Sequence, residues 1–228
     1  MAHRLTEGLA SLGSCHHAAA LSKNVHVEGR IKMQNESVFG SVDRIQEAIA
    51  LKRRISFVYF KYDAAKRKAL QHNGERYIET PVQLVYAEGY YYLVVFNEKH
   101  DDFANYRVDR MSAVTVLGDA RRGKAEFRQF DLPAYLRKHF NMFGGPEHRV
   151  ALRCTADLES AMRDRFGKTP LFVPEEDGAY FHFDVLVCVS PQFYGWVCGF
   201  GGKVEVMAPA EVRKGIHDMV QALAKQHD

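Results

Sequence analysis

Residues 80–96 read TPVQLVYAEGYYYLVVF, and this stretch decides the fold. Glu88-Gly89 is a two-residue turn signal between two runs rich in aromatic and β-branched side chains. That pattern predicts a β-hairpin, with one strand ending at Tyr86 and its partner running from Tyr90 to Phe96. Working outward, Ile55, Phe57 and Tyr59 alternate with Ser56, Val58 and Phe60, a period of two that predicts another strand. Residues 75–80, 106–110 and 113–117 read as further short strands. Five or so strands in about 65 residues point to a small curled barrel. Ahead of them, Val38, Val42, Ile45 and Ile49 recur at four, three and four, which predicts a helix over 35–53 with Asn35 or Ser37 as its cap.

Downstream, residues 118–129 are polar and basic and read as a linker. Asp131 and Pro133 open a short helix, and Gly144-Gly145-Pro146 closes it at a domain boundary. Residues 147–228 follow a different plan: strands at 148–154, 180–189 and 204–207 alternate with helices at 158–166, from Ser190-Pro191 through Cys198, and from Pro209 onward. This βαβαβα order implies a small α+β layer. Leu5, Leu9 and Leu12 suggest a short helix near the start, broken at Gly13-Ser14. The expected organisation is a connector at 1–34, a barrel domain at 35–120, a linker at 121–146 and an α+β domain at 147–228.

The chain has 228 residues, 46% hydrophobic and 26% charged, the balance of a soluble globular protein. No apolar run approaches the ~18 residues of a membrane span, and the first residues lack a secretory apolar core. The expected location is the cytoplasm, with no membrane partner. Cys15, Cys154, Cys188 and Cys198 have no metal-type spacing and read as reduced thiols. Cys15-His16-His17 sits in a connector, a poor place for a rigid metal site. The sequence carries no nucleophile elbow, P-loop, H-E-x-x-H or G-x-G-x-x-G. Neither an enzyme nor a cofactor is expected.

Ile55 to Tyr59, Thr80-Pro81, Tyr91-Tyr92-Leu93 and Tyr106 to Arg110 follow one another in the order and spacing of the WYL domain. Tyr91 stands where the family's name-giving triplet has Trp. The tail resembles the C-terminal extension of the same family, through Phe130-Asp131-Leu132, Asp164 to Gly167, Ser190 to Phe193, Trp196, Gly199 to Gly202 and Ala208-Pro209. The resemblance covers residues 25–228. It implies an Sm-like or SH3-like barrel that senses a nucleotide or a single-stranded nucleic acid in a bacterial transcriptional regulator. It also implies a homodimer that reaches promoter DNA only through an N-terminal winged helix, which this sequence is expected to lack.

Within that frame Arg107 and Arg110 are the leading ligand candidates, because a guanidinium presents a planar fork of donors to phosphate oxygens. On a regular strand, residues three apart face opposite ways, so both serve one site only if the strand ends or bends between them. The alternative is a structural ion pair, with Asp109 as the nearest acid. Tyr59, Tyr91 and Tyr92 offer rings on which a base can stack, or core filling. Tyr91 and Tyr92 must lie on opposite faces, and Tyr92 is preferred for the ligand side. Ser56 is a further polar candidate, on the face opposite Tyr59.

From Leu51 to His72 there are seven bases against the single acid Asp63, while the whole chain is only +3, so the remainder is net acidic. Lys61, Lys66, Arg67 and Lys68, interleaved with aromatics, can track a phosphate backbone or form an ordinary solvated hairpin. Two other functions fit the same sequence: a nucleic-acid-binding module without sensing, and a plain dimerisation module.

Overall fold

The computed structural model describes residues 36–227; the expected helix near Leu5 to Leu12, the Cys15-His16-His17 group and the Asn35 cap lie outside them. The first element is helix α1 (Glu36–Leu51), whose stripe Val38, Val42, Ile45 and Ala48 is buried. It packs on a six-stranded antiparallel sheet of β1 (Arg53–Tyr62), β2 (Lys68–Leu70), β3 (Tyr77–Ala87), β4 (Tyr90–Asn97), β5 (Asp102–Arg107) and β6 (Met111–Ala120). The hydrogen-bonded order is β2-β1-β3-β4-β5, with β6 on β1.

The sheet curls because β1 and β3 change partners along their length, while β6 also runs along β1. β1 pairs through Ile55 to Phe57 with β3, and through Phe60 to Tyr62 with β2. β3 pairs with β1 at Tyr77 to Glu79, then with β4 from Thr80 onward, and its register slips between Pro81 and Gln83. Proline has no N–H to give the ladder, and a bulge bends the strand that carries it. The two strands expected over 75–86 are therefore one bent strand. The result is a half-barrel preceded by a helix, the α+β class expected. The β3–β4 turn has positive φ at Glu88 (51°) and Gly89 (78°), the primed geometry that matches strand twist.

β4 is buried on both faces, which explains its unbroken apolar run. Leu93 and Val95 join Ile55, Phe57, Val108 and Met111 under α1. Tyr90, Tyr92 and Val94 point the other way, into a second cluster with Tyr135 and Met142. Alternate residues of a strand take opposite faces, so one strand organises two cores. Fully burying a side chain such as Phe57 or Leu93 stabilises the fold by about 1.5–3 kcal/mol.

The segment read as linker contains a short helix, α2 (Lys124–Gln129), after β6 runs on to Ala120. Helix α3 (Leu132–Lys138) follows, capped by Asp131, which accepts from the Ala134 N–H at 3.2 Å. The Tyr135 hydroxyl donates to Asn105 on β5 at 2.9 Å, and Asn105 donates to the Met142 carbonyl at 3.1 Å. These bonds tie the connecting helix to the half-barrel.

The C-terminal unit contains β7 (Glu147–Thr155), α4 (Glu159–Phe166), β8 (Val173–Pro174), β9 (Tyr180–Cys188), α5 (Pro191–Cys198), β10 (Val204–Ala208) and α6 (Ala210–His227). Its sheet order is β10-β7-β9-β8, all antiparallel. The two-residue β8 is absent from the sequence reading. With it the pattern becomes βαββαβ, the ferredoxin-like arrangement, followed by α6. Met162, Phe166, Phe193, Val197 and Val212 from the helices close over Val150, Leu152, Phe181 and Phe183 of the sheet.

Candidate functional site

β5 ends at Arg107, and Val108–Arg110 forms a single 3-10 turn before β6 begins at Met111. Val108 is fully buried and pins the turn into the core beneath α1. The strand therefore stops where Arg107 and Arg110 need it to stop if they are to share one surface, since the opposite-face rule no longer applies across a turn.

The two arginines have different surroundings. Arg107 pairs across the sheet with Tyr92 and lays its guanidinium over the Tyr90 ring, 3.5 Å from the centroid. Its Nε and Nη2 donate to the two Asp109 oxygens at 3.0 and 2.7 Å. Arg107 is thus held in a forked ion pair, the structural role open in the sequence. Among the described residues Arg110 forms no such ion pair, and its buried Nε makes no hydrogen bond. A buried donor left unmade costs about 1–3 kcal/mol.

Tyr59 packs against the α1-side core and Tyr92 is buried in the second cluster, and the phenols of both feel the charges of Arg107 and Arg110. The Tyr59 hydroxyl accepts from the Arg107 backbone N–H at 3.2 Å. Burial pushes its pKa up, while the nearby Arg110 and Arg107 charges pull the other way. Tyr92 is also raised by burial, with Arg107 and Arg110 again opposing. Both arginines therefore lie close enough to act on both phenols. Tyr91 takes the opposite face from Tyr92 and packs edge-on against Tyr86, with ring centroids 5.1 Å apart.

Ser56 is buried, and its hydroxyl accepts from Arg76 Nε at 3.1 Å and Nη2 at 2.8 Å. Arg76 also donates to the Ala113 carbonyl at 2.6 Å, so Ser56 belongs to a clamp between β1 and β6. Sequence reasoning missed Arg76, which lies 20 residues from Ser56, and missed Tyr90 as the ring under Arg107. The cross-strand register was the only signal that would have shown the latter.

Beside the turn lies a cleft of about 390 Å³ lined by Arg44, Phe60, Lys68, Asp109, Met111 and Ser112, among others. Lys68 stands over the Phe60 ring at 4.5 Å. Lys61 and Lys66 are exposed on the same hairpin, and Arg67 pairs with Asp63 at 2.9 Å. Among the described residues no group of His, Cys, Asp and Glu is placed to hold a metal, and no helix is long and apolar enough to cross a membrane.

A bent half-barrel joined to a ferredoxin-like unit makes a two-part fold. Residues 40–116 match the WYL domain and residues 146–224 match the WCX domain. The chain therefore carries a WYL domain followed by a WCX domain. Among solved structures it is similar to proteasome accessory factor B/C (PafBC) of Arthrobacter aurescens, at 19% identity and a TM-score of 0.39, over 92% of this chain and 30% of that one. It is also similar to a CRISPR Cas-related protein, at 13% identity and a TM-score of 0.47, over 83% of this chain and 52% of that one. The chain thus spans less than a third of the first and about half of the second. No curated protein matches it.

Proposed function

We propose that this chain is the effector-sensing part of a transcriptional regulator, taking up a nucleotide or single-stranded nucleic acid on the turn between β5 and β6. The observation that carries the reading is the buried, unbonded Nε of Arg110 beside the Tyr59 and Tyr92 phenols. An anionic oxygen reaching that donor would remove the cost of leaving it unmade. Arg107, paired with Asp109 over the Tyr90 ring, lies next to the site and adds positive potential to the extent that Asp109 leaves it free. Tyr92 and Tyr59 offer hydroxyls and ring edges to the sugar or base. Tyr91 and Ser56 are proposed only as flanking positions, since one lies on the other face and the other is engaged by Arg76.

Sensing requires a ligand to favour one of two arrangements. β5 carries both Arg107 and Asn105, and Asn105 holds the connecting segment at Tyr135 and Met142. Ligand-induced movement of β5 would pass to the WCX unit along that path. In a homodimer joined to winged helices, the same movement would alter their spacing on promoter DNA.

Titration of short single-stranded oligonucleotides and of cyclic dinucleotides tests the reading. Saturable binding that weakens about tenfold or more in Arg110→Ala supports it; a charge-assisted bond to a desolvated donor is worth that much. Unchanged affinity in Arg110→Ala and Arg107→Ala sinks the site. A second reading, salt-driven backbone binding by Lys61, Lys66, Arg67 and Lys68, predicts a steep salt dependence that maps to those four residues.

A further inference from the structure

We propose that the cleft between α1 and the stem of the β1–β2 hairpin is a second phosphate subsite, held by Arg44 and Lys68. The inference rests on the sensing reading and deepens it, because it gives the ligand a direction and a second anionic group. The cleft of about 390 Å³ is lined by three parts of the fold: α1 through Gly40, Ser41 and Arg44, the hairpin through Phe60 and Lys68, and the turn and β6 through Asp109 and Met111 to Val114.

Its charge balance decides the ligand class. The one acid among the lining residues is Asp109, and its two oxygens are taken by Arg107 at 3.0 and 2.7 Å. Neither Arg44 nor Lys68 forms an ion pair among the described residues, so the cleft keeps two uncompensated cations. The Lys68 ammonium stands 4.5 Å above the Phe60 ring, and that ring is almost fully buried. A cation held over an aromatic face loses less freedom on meeting an anion. The Ser112 hydroxyl adds a neutral donor. A cleft with two free cations, a hydroxyl and an apolar wall suits a phosphate with sugar or base carbon behind it.

Asp109 links the two subsites. Its carboxylate fixes Arg107 on one side and lines the cleft on the other, and Arg110 follows it in the chain. A ligand with one phosphate at Arg110 and a second at Arg44 and Lys68 would straddle Asp109. A mononucleotide would fill one subsite; a short single strand with a terminal phosphate would fill both.

The test uses octathymidylate with and without a 5′-phosphate, and inorganic tripolyphosphate, titrated into the wild type and the double variant Arg44→Ala, Lys68→Ala. Thermal melts check that the variant folds, and Arg44→Lys serves as the conservative control. Expected is a roughly tenfold preference of the wild type for the phosphorylated strand, the scale of two partly exposed charge-assisted contacts. The double variant should lose that preference while binding the unphosphorylated strand as before, and Arg44→Lys should retain most of it. An equal loss for both strands, or no loss for either, overturns the subsite. If neither strand binds the wild type, the sensing reading fails and tripolyphosphate alone decides the cleft. Tripolyphosphate binding abolished in the double variant would support the subsite, and no binding would overturn it.

Discussion

Replacing Glu79 with glutamine should change how the stability of the half-barrel depends on pH. Glu79 is only 5% exposed, on β3 where the strand turns from β1 to β4. One carboxyl oxygen accepts from Asn97 at 2.9 Å and from the Tyr106 hydroxyl at 3.2 Å, both neutral donors. The neighbouring Arg54 is engaged with Glu98 at 3.5 Å. Burial pushes the Glu79 pKa up from 4.5 to about 7, against the smaller opposing effects of Tyr106, Asn97 and Arg54. Below pH 4.5 the carboxyl is protonated in both folded and unfolded chains and costs nothing. As pH rises to about 7 the unfolded chain gives up its proton more readily, so stability falls, and above that the loss is constant. The interval from 4.5 to about 7 corresponds to at most about 3 kcal/mol. Glutamine keeps an oxygen for Asn97 and Tyr106 and never ionises. Urea denaturation of both proteins from pH 4.5 to 8 should show nearly equal stability at the acid end and a gap of about 2–3 kcal/mol in favour of Glu79→Gln at pH 8. A gap that does not vary with pH, or a variant less stable at pH 8, would refute the reasoning.

Three further outcomes follow from the packing and the site. Phe57→Ala should cost about 3–5 kcal/mol in chemical denaturation, because its fully buried ring stacks on Tyr77 at 5.4 Å and meets Tyr106 edge-on at 5.1 Å. Gly145→Ala should lower the Tm, since a Cβ there would overlap the Val189 carbonyl oxygen at the start of the WCX unit; a scanning melt that matches the wild type would contradict the close approach. Asp109→Asn should release Arg107 from its forked ion pair and tighten binding of an anionic ligand severalfold, read by titration; weaker binding would mean that the pairing itself builds the site.

Local chemistry was the legible part of the fold. The β3–β4 turn and the Asp131 and Ser190 caps are each set by a few adjacent residues, and each forms; β1 forms as a strand, but register shifts against β6 break its alternation, so that Ile55, Ser56 and Phe57 are all buried. The parts that escaped depend on distant partners. Pro81 reads as a strand boundary, yet β3 continues through it because a bulge absorbs the missing donor. β8 is two residues long and contains Pro174, so it has no periodicity to detect, yet it completes the ferredoxin-like order. At the candidate site, residues 106–110 look like one strand; the break after Arg107 arises because Val108 turns into the core beneath α1. The choice between a ligand-facing and an ion-paired arginine was stated from sequence, but which of the two arginines took the acid needed coordinates.

Hydrogen–deuterium exchange with and without a saturating single-stranded oligonucleotide tests the central claim most directly. The account predicts protection concentrated at the end of β5, the Val108–Arg110 turn and the first residues of β6, with a weaker effect at Tyr90 to Tyr92. Protection confined to the Lys61 to Lys68 hairpin, or to the WCX sheet with the turn unchanged, would contradict it.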